Sequence, residues 1–320
     1  MTRGTEATTV DPAATAAAAD AEAEKSRVAA TSVAAAILLT GMKIIVGLAT
    51  GSIGILSEAA HSGLDLVAAG VTLWAVRASA KPADRQHPYG HGKIENFSAL
   101  FETGLLLATC AWIVYEACKR LLSLDGAHVA ATPWAFGVMA VSIAVDLSRS
   151  RALSRIARKH NSQALEADAM HFSTDVWSSS VVICGLALVW AGQRYSVPFL
   201  AKADAVAAMG VAAVALIVSL RLGRKSVDDL LDAAPAGLLE RVARAAAVEG
   251  VVAVAQARVR QSGPYAFADV TIQVGPGLGI EEAHAIANAA EEAIRQVVAR
   301  TDVVVHAEPA ERIGERPDEP

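Results

Sequence analysis

The chain has 320 residues, 53% of them hydrophobic, and a mean hydropathy of +0.38. That is too apolar for an ordinary soluble domain and fits an integral membrane protein with the bilayer as a partner. The formal net charge is −5, so no overall basic field points to nucleic acid. Cys110, Cys118 and Cys184 form no CxxC pair, which argues against a disulfide framework or a thiolate zinc site.

In chain order, residues 1–26 are rich in Ala, Thr and acidic side chains and read as a disordered tail. Six apolar stretches follow, approximately Val28–Ala49, Ile53–Ala78, Ile94–Leu121, Pro133–Leu147, Gln163–Ala191 and Asp204–Leu222. Each approaches the roughly 20 residues needed to cross a bilayer, the fourth least clearly because Asp146 and a basic cluster crowd its end. The predicted membrane domain occupies 27–225. The second and fourth connections hold most of the basic residues, among them Arg77, Lys81, Arg85, Lys93, Arg149, Arg151, Arg155 and Arg158. The positive-inside rule therefore places both termini in the cytoplasm.

After Asp232 the pattern changes. Gly237–Glu249 reads as a helix, and Val251–Gln261 and Phe267–Val274 alternate as strands around a QSGP turn. Ile280–Ala299 has helical periodicity, and Asp302–His306 is a short apolar strand. The expected fold is a membrane all-α six-helix bundle plus a small cytoplasmic α+β domain, αββαβ and ferredoxin-like, over 233–310. Residues 311–320 read as a flexible end.

The chemistry lies inside the apolar stretches. His61 and Asp65 are four apart and share a helix face, and His171 and Asp175 repeat the spacing on the fifth stretch. Two helices that each offer an imidazole and a carboxylate can close a tetrahedral N₂O₂ site suited to Zn²⁺, with Co²⁺ or Cd²⁺ also fitting. A charge at mid-bilayer costs roughly 2.5–3.5 kcal/mol on insertion scales, so such residues need each other or a cation. The competing structural reading is that the pairs only hydrogen-bond across the bundle. Glu58 and Asp168 stand three residues before the two histidines, and Glu102 lies in the third stretch. ExxH pairs of this kind can hold a di-iron centre, which gives a membrane di-metal enzyme as an alternative. The preferred reading makes Glu58 and Asp168 supporting groups. Asp146 is expected to pair with Arg149 at helical spacing. In the loop "PADRQHPYGHGK", Asp84, His87 and His91 form a candidate metal site, or else Gly90 and Gly92 serve a tight turn beside exposed histidines.

The two HxxxD motifs, "HPYGHGKIE" (His87–Glu95), and a tail with "RQSGP" and "VVVHAEP" together resemble the cation diffusion facilitator family of metal–proton antiporters, from about Val28 to Glu308. The resemblance implies a transport quartet of His61, Asp65, His171 and Asp175, with histidine at 61 pointing to the zinc-type group. It implies a loop site at Asp84 and His91, with His87 close by, and an ion pair from Lys93 to Asp232. It further implies a tail site at His284, His306 and Glu308, reduced because Ala255 and Thr271 replace histidines of some relatives. A homodimer is implied as well, exporting a divalent cation, foremost Zn²⁺ and otherwise Cd²⁺, Co²⁺ or Fe²⁺, against protons; with no organelle signal in the sequence, a bacterial inner membrane is expected. No resident cofactor is expected beyond Zn²⁺ as substrate and regulatory ligand. A non-transporting metal-binding scaffold is the second alternative, and an intact quartet argues against it.

Overall fold

The computed structural model describes residues 12–122, 133–195, 203–263, 265–298 and 300–310. The loop expected at Ser123–Thr132 and the C-terminal end from 311 lie outside the described residues. The chain divides into two compact units, 1–226 and 227–320.

The first unit is built from α1 (Pro12–Thr50), α2 (Ile53–Ser79), α3 (Lys93–Leu122), α4 (Pro133–His160), α5 (Gln163–Tyr195) and most of α6 (Ala203–Leu230). Two short connections set its geometry. Gly51, at φ +63, ends α1 in the left-handed region, where a glycine carries no Cβ penalty. Ser52 then caps α2, its hydroxyl accepting from the Ile55 amide. Between α4 and α5, Asn161 takes the left-handed role at φ 51, and the Ser162 hydroxyl accepts from the Leu165 amide.

The helix α1 begins well before the expected span. Residues 12–26, read above as a disordered tail, are helical. Alanine has the highest helix propensity, and this segment is mostly alanine. Tertiary contact adds to that: the Lys25 ammonium is fully buried 2.7 Å from Glu95 Oε1 and 2.8 Å from Glu22 Oε2. Glu95 also accepts hydrogen bonds from the Ser79 and Ser162 hydroxyls. One carboxylate thus joins α1, the end of α2, the start of α3 and the α4–α5 turn.

Small residues pack these helices closely. Ala29 of α1, Ala69 and Val76 of α2, Leu153 and Ala157 of α4, and Ala164, Leu165, Ala169 and Phe172 of α5 form one buried cluster. Small side chains let backbones approach where lipid offers no hydrophobic drive between helices. The outside is the reverse: Leu38, Ile45, Leu48, Leu64, Trp74, Phe97 and Trp112 are all exposed. An apolar surface of that extent is suited to lipid. Among the described residues three helical stretches are long and apolar enough to span, Ala19–Thr50, Glu58–Ser79 and Lys93–Tyr115. The remaining long helices, α4, α5 and α6, have 28, 33 and 28 residues. At 1.5 Å per residue each is longer than a hydrocarbon core of about 30 Å.

The second unit contains α7 (Leu238–Ala246), β1 (Val251–Ser262), β2 (Tyr265–Val274), α8 (Ile280–Val297) and β3 (Thr301–Pro309), in the expected αββαβ order. β2 is central, antiparallel to β1 and parallel to β3. Its residues Ala266, Ala268, Val270, Ile272 and Val274 point into one core with Val242 of α7 and Ala287, Ala290 and Ile294 of α8. The opposite sheet face is left open. Gly250, at φ +92, could not carry a side chain without meeting Ile286, since a Cβ there would lie 2.7 Å from Ile286 Cδ1.

The strand β1 departs from strict alternation. The sequence places Ala255, Ala257 and Val259 on one face. In the structure Val251, Val254, Ala257 and Val259 face the core, and Ala255 is exposed. Register shifts between Val251 and Ala253 and between Val254 and Gln256 account for this, because each bulge flips the side-chain phase.

Replacing Lys25 by Met should leave the buried Glu95 carboxylate with hydroxyl donors and no cation. The expected loss is about 3–5 kcal/mol, read as a lower unfolding midpoint of the full-length protein in detergent. The Lys25→Met/Glu95→Leu double variant should recover most of it.

Candidate metal centre

The two HxxxD motifs lie on α2 and α5, and the packing of those helices brings them together. His171 Nε2 is 3.1 Å from Asp65 Oδ1 and 3.6 Å from Asp175 Oδ2. His61 Nε2 is 3.9 Å from Asp65 Oδ1 and 4.0 Å from Asp175 Oδ1. Each carboxylate therefore faces both imidazoles. Ligand atoms of His61, Asp65 and Asp175 all fall within 4.8 Å of one another, a spacing that can close around a metal ion. His171 is buried and His61 is 40% exposed at its side chain, so the group is sealed on one side and open on the other.

The surroundings are polar and largely buried. Glu102 of α3 is fully buried and accepts from the Thr72 hydroxyl at 2.7 Å. Asp168 is fully buried too, and neither of its oxygens meets a donor among the described residues. The second oxygen of Glu102 and Nδ1 of His171 are in the same position. Arg149 pairs with Asp146 at 3.2 Å, as its spacing predicts, donates to the Ser32 hydroxyl at 3.1 Å, and stacks 3.5 Å over the Phe172 ring. That arrangement fixes α5 one residue beyond His171.

Glu58, expected as a supporting group, is an exposed partner of Lys43, with Nζ 3.3 Å from Oε2. Lys43 and the Lys25–Glu95 pair were not anticipated from the sequence. For Lys43 the signal was there: a lysine in the middle of an apolar span needs a reason.

In the loop, the tight turn is present and the candidate ligands lie together beside it. Asp84 Oδ1 accepts from the Gln86 and His87 amides at 2.8 and 2.7 Å, and the Gly90 amide donates to the His87 carbonyl at 2.9 Å. That tight turn presents His87 Nδ1 at 3.3 Å and His91 Nε2 at 3.5 Å to the Asp84 carboxylate. Asp84, His87 and His91 form the second group with three ligand atoms within 4.8 Å. The His87 backbone N–H, foremost, holds the Asp84 carboxyl below its ordinary value.

The tail residues are not brought together within the chain. His306 and Glu308 share the open face of β3, 3.6 Å apart. His284 is exposed on α8, which packs on the other face of the sheet, and the three are not among the described clusters. Asp232 lies 3.7 Å from Arg260 within its own unit. The cysteines, which their apolar runs suggest are small packing residues, are free: Cys110 is buried, whereas Cys118 and Cys184 are exposed.

Fold and site together describe a helical membrane protein with a candidate cation seat inside its bundle and a small α+β unit attached. Residues 29–231 match a family model described as the cation efflux transmembrane domain, and residues 240–310 match one described as the cation efflux protein cytoplasmic domain. Two similar proteins carry the name cation-efflux pump FieF. The one from Klebsiella pneumoniae is 30% identical over 292 residues, 89% of this chain and 92% of that protein. The one from Salmonella newport is 30% identical over 287 residues, with the same coverage. A solved MamM CTD structure in its nickel form is 33% identical over 23% of this chain and 96% of its own, with a TM-score of 0.23. The chain belongs to the cation diffusion facilitator family and is an integral membrane cation-efflux transporter, not an enzyme. The di-metal enzyme reading is thereby set aside.

The Asp84 contacts set a pH window. A carboxyl held below its ordinary value stabilises the turn fully above that value, and the stabilisation is lost as pH falls through the lowered one. The loop should therefore stay closed throughout neutral pH. Asp84→Ala should open it, read as several-fold faster trypsin cleavage after Arg85 in full-length protein.

Proposed function

We propose that this transporter exports a divalent metal cation, Zn²⁺ first, from the cytoplasm through six spans by alternating access, with protons moving the other way. One observation carries the reading: the two carboxylates and two imidazoles from α2 and α5 face each other within 3.1–4.0 Å. Two histidines and two aspartates form the donor set that tetrahedral Zn²⁺ prefers, and they offer too few oxygens for Mn²⁺. Imidazole binds metal only when neutral, so protons and metal compete for His61 and His171. A seat between rocking helices can then load at one side and be emptied by protons at the other.

Asp84, His87 and His91 form a second, peripheral Zn²⁺ seat in this reading. The Lys93–Asp232 pair and a tail site at His284, His306 and Glu308 belong to the same proposal. The tail site needs ligands from a second copy, since its residues lie on opposite faces of one sheet. A homodimer meets that need and also covers the open sheet face. By analogy with its bacterial relatives, the protein works in an inner membrane with both termini cytoplasmic.

In proteoliposomes with an imposed pH gradient, Zn²⁺ uptake should exceed Mn²⁺ uptake. The Asp175→Ala variant should lose at least about tenfold of that uptake, because one missing ligand opens the seat. Uptake that is independent of the gradient would remove proton coupling. Equal uptake by wild type and a His61→Ala/Asp175→Ala variant would remove the site.

A further inference from the structure

Lys43 is a described feature beside His61 that the proposed transport step leaves unused. It lies in the apolar part of α1, with its side chain 5% exposed. Its ammonium donates to the Ser62 hydroxyl at 2.7 Å and reaches Glu58 at 3.3 Å. Ser62 follows His61 directly, and its carbonyl accepts from the Thr40 hydroxyl at 3.1 Å, which ties the same turn of α1 to the same turn of α2.

A lysine is costly to bury in a span unless it acts there. Neutralising Glu58 does not by itself explain the burial, because the Lys43 side chain is 5% exposed beside a Glu58 side chain that is 54% exposed, and its shorter hydrogen bond goes to Ser62. The ammonium is instead held by that shorter bond, to the Ser62 hydroxyl, beside the turn of α2 that carries His61. α1 contributes none of the four proposed ligands. What it contributes is one fixed positive charge beside a seat meant for a doubly positive ion.

We propose that Lys43 is a resident counter-charge: its ammonium weakens the hold of the His61/Asp65/His171/Asp175 seat on a divalent cation, and Glu58 tempers that field by pairing with it. The inference rests on the quartet as the transport seat. An exporter must let go of its cargo as well as capture it. Two carboxylates in a poorly solvated bundle hold a divalent ion strongly. A nearby cation that cannot diffuse away opposes this hold at every turnover. It also offsets part of the carboxylate charge after release. The lysine need not change protonation for this role. Its partner Glu58 lies three residues before the partly exposed His61 on α2, where an adjustable contact can act.

The two charges predict opposite signs. In full-length protein in detergent, Zn²⁺ affinity is read by competition with a fluorescent chelator and dissociation by stopped flow. Lys43→Gln should tighten binding about tenfold and slow release. Glu58→Gln should weaken binding by freeing the ammonium, Lys43→Arg should stay near wild type, and the Lys43→Gln/Glu58→Gln pair should return towards it. Asp175→Ala tests the seat itself: if it binds as wild type does, the proposed seat fails. If Asp175→Ala loses binding while Lys43→Gln binds equally or more weakly with an unchanged unfolding midpoint, only the counter-charge is overturned. Should Lys43→Gln lower that midpoint, Glu58→Gln decides, and tighter or unchanged binding in it overturns the role.

Discussion

Lys25 and Glu95 meet 2.7 Å apart with no exposed side-chain surface on either. Charges removed from water need partners at close range, since an uncompensated buried charge destabilises by several kcal/mol. The first unit is organised around that requirement. Ser79 and Ser162 satisfy the remaining acceptor capacity of Glu95. Four helical elements therefore converge on one carboxylate at the start of α3, beside the end of α2. Arg149 does the same deeper in the bundle, through Asp146, Ser32 and the Phe172 face. With those anchors set, α2 and α5 are held in the register that opposes His61 and Asp65 to His171 and Asp175.

The same requirement explains what sets the centre of the bundle apart. Among the described residues, buried atoms of Asn96, Ser98 and Arg149 also lack a partner, but only around His171 are two carboxylates in that position. Around His171 the second oxygen of Glu102 and both oxygens of Asp168 meet none among the described residues. Natural proteins rarely leave such groups unsatisfied without a functional reason. Beside this polar lining, the helices pack through alanines that contribute no side-chain polarity.

The second unit solves a different problem. Its core forms by ordinary hydrophobic burial, with β2 at the centre and α7 and α8 on one face. The other face keeps Gln256, Arg258, Asp269, Thr271 and His306 around a shallow cavity of about 240 Å³. Layering on one side only separates His284 from His306 and Glu308. A sheet is opaque to side chains, so residues that alternate to opposite faces cannot share a ligand within one chain.

Much of this was legible in the residues. The HxxxD spacing identified which side chains share a helix face, because the 3.6-residue period fixes that locally. The αββαβ order followed from alternation and turn residues, and the Asp146–Arg149 pair from helical spacing. The phase of β1 was not legible, since a bulge leaves no mark in an alternating run. Nor was the start of α1, where composition suggested disorder and a distant glutamate held Lys25 in place. The sequence by itself determined the donor chemistry: two imidazoles and two carboxylates, placed where a bilayer makes charge expensive. Only the tertiary structure decided that these four oppose one another, that Glu58 turns towards Lys43, and that the tail residues stand apart. Those outcomes depend on contacts between residues up to more than a hundred positions apart, and local periodicity carries no information about such distances.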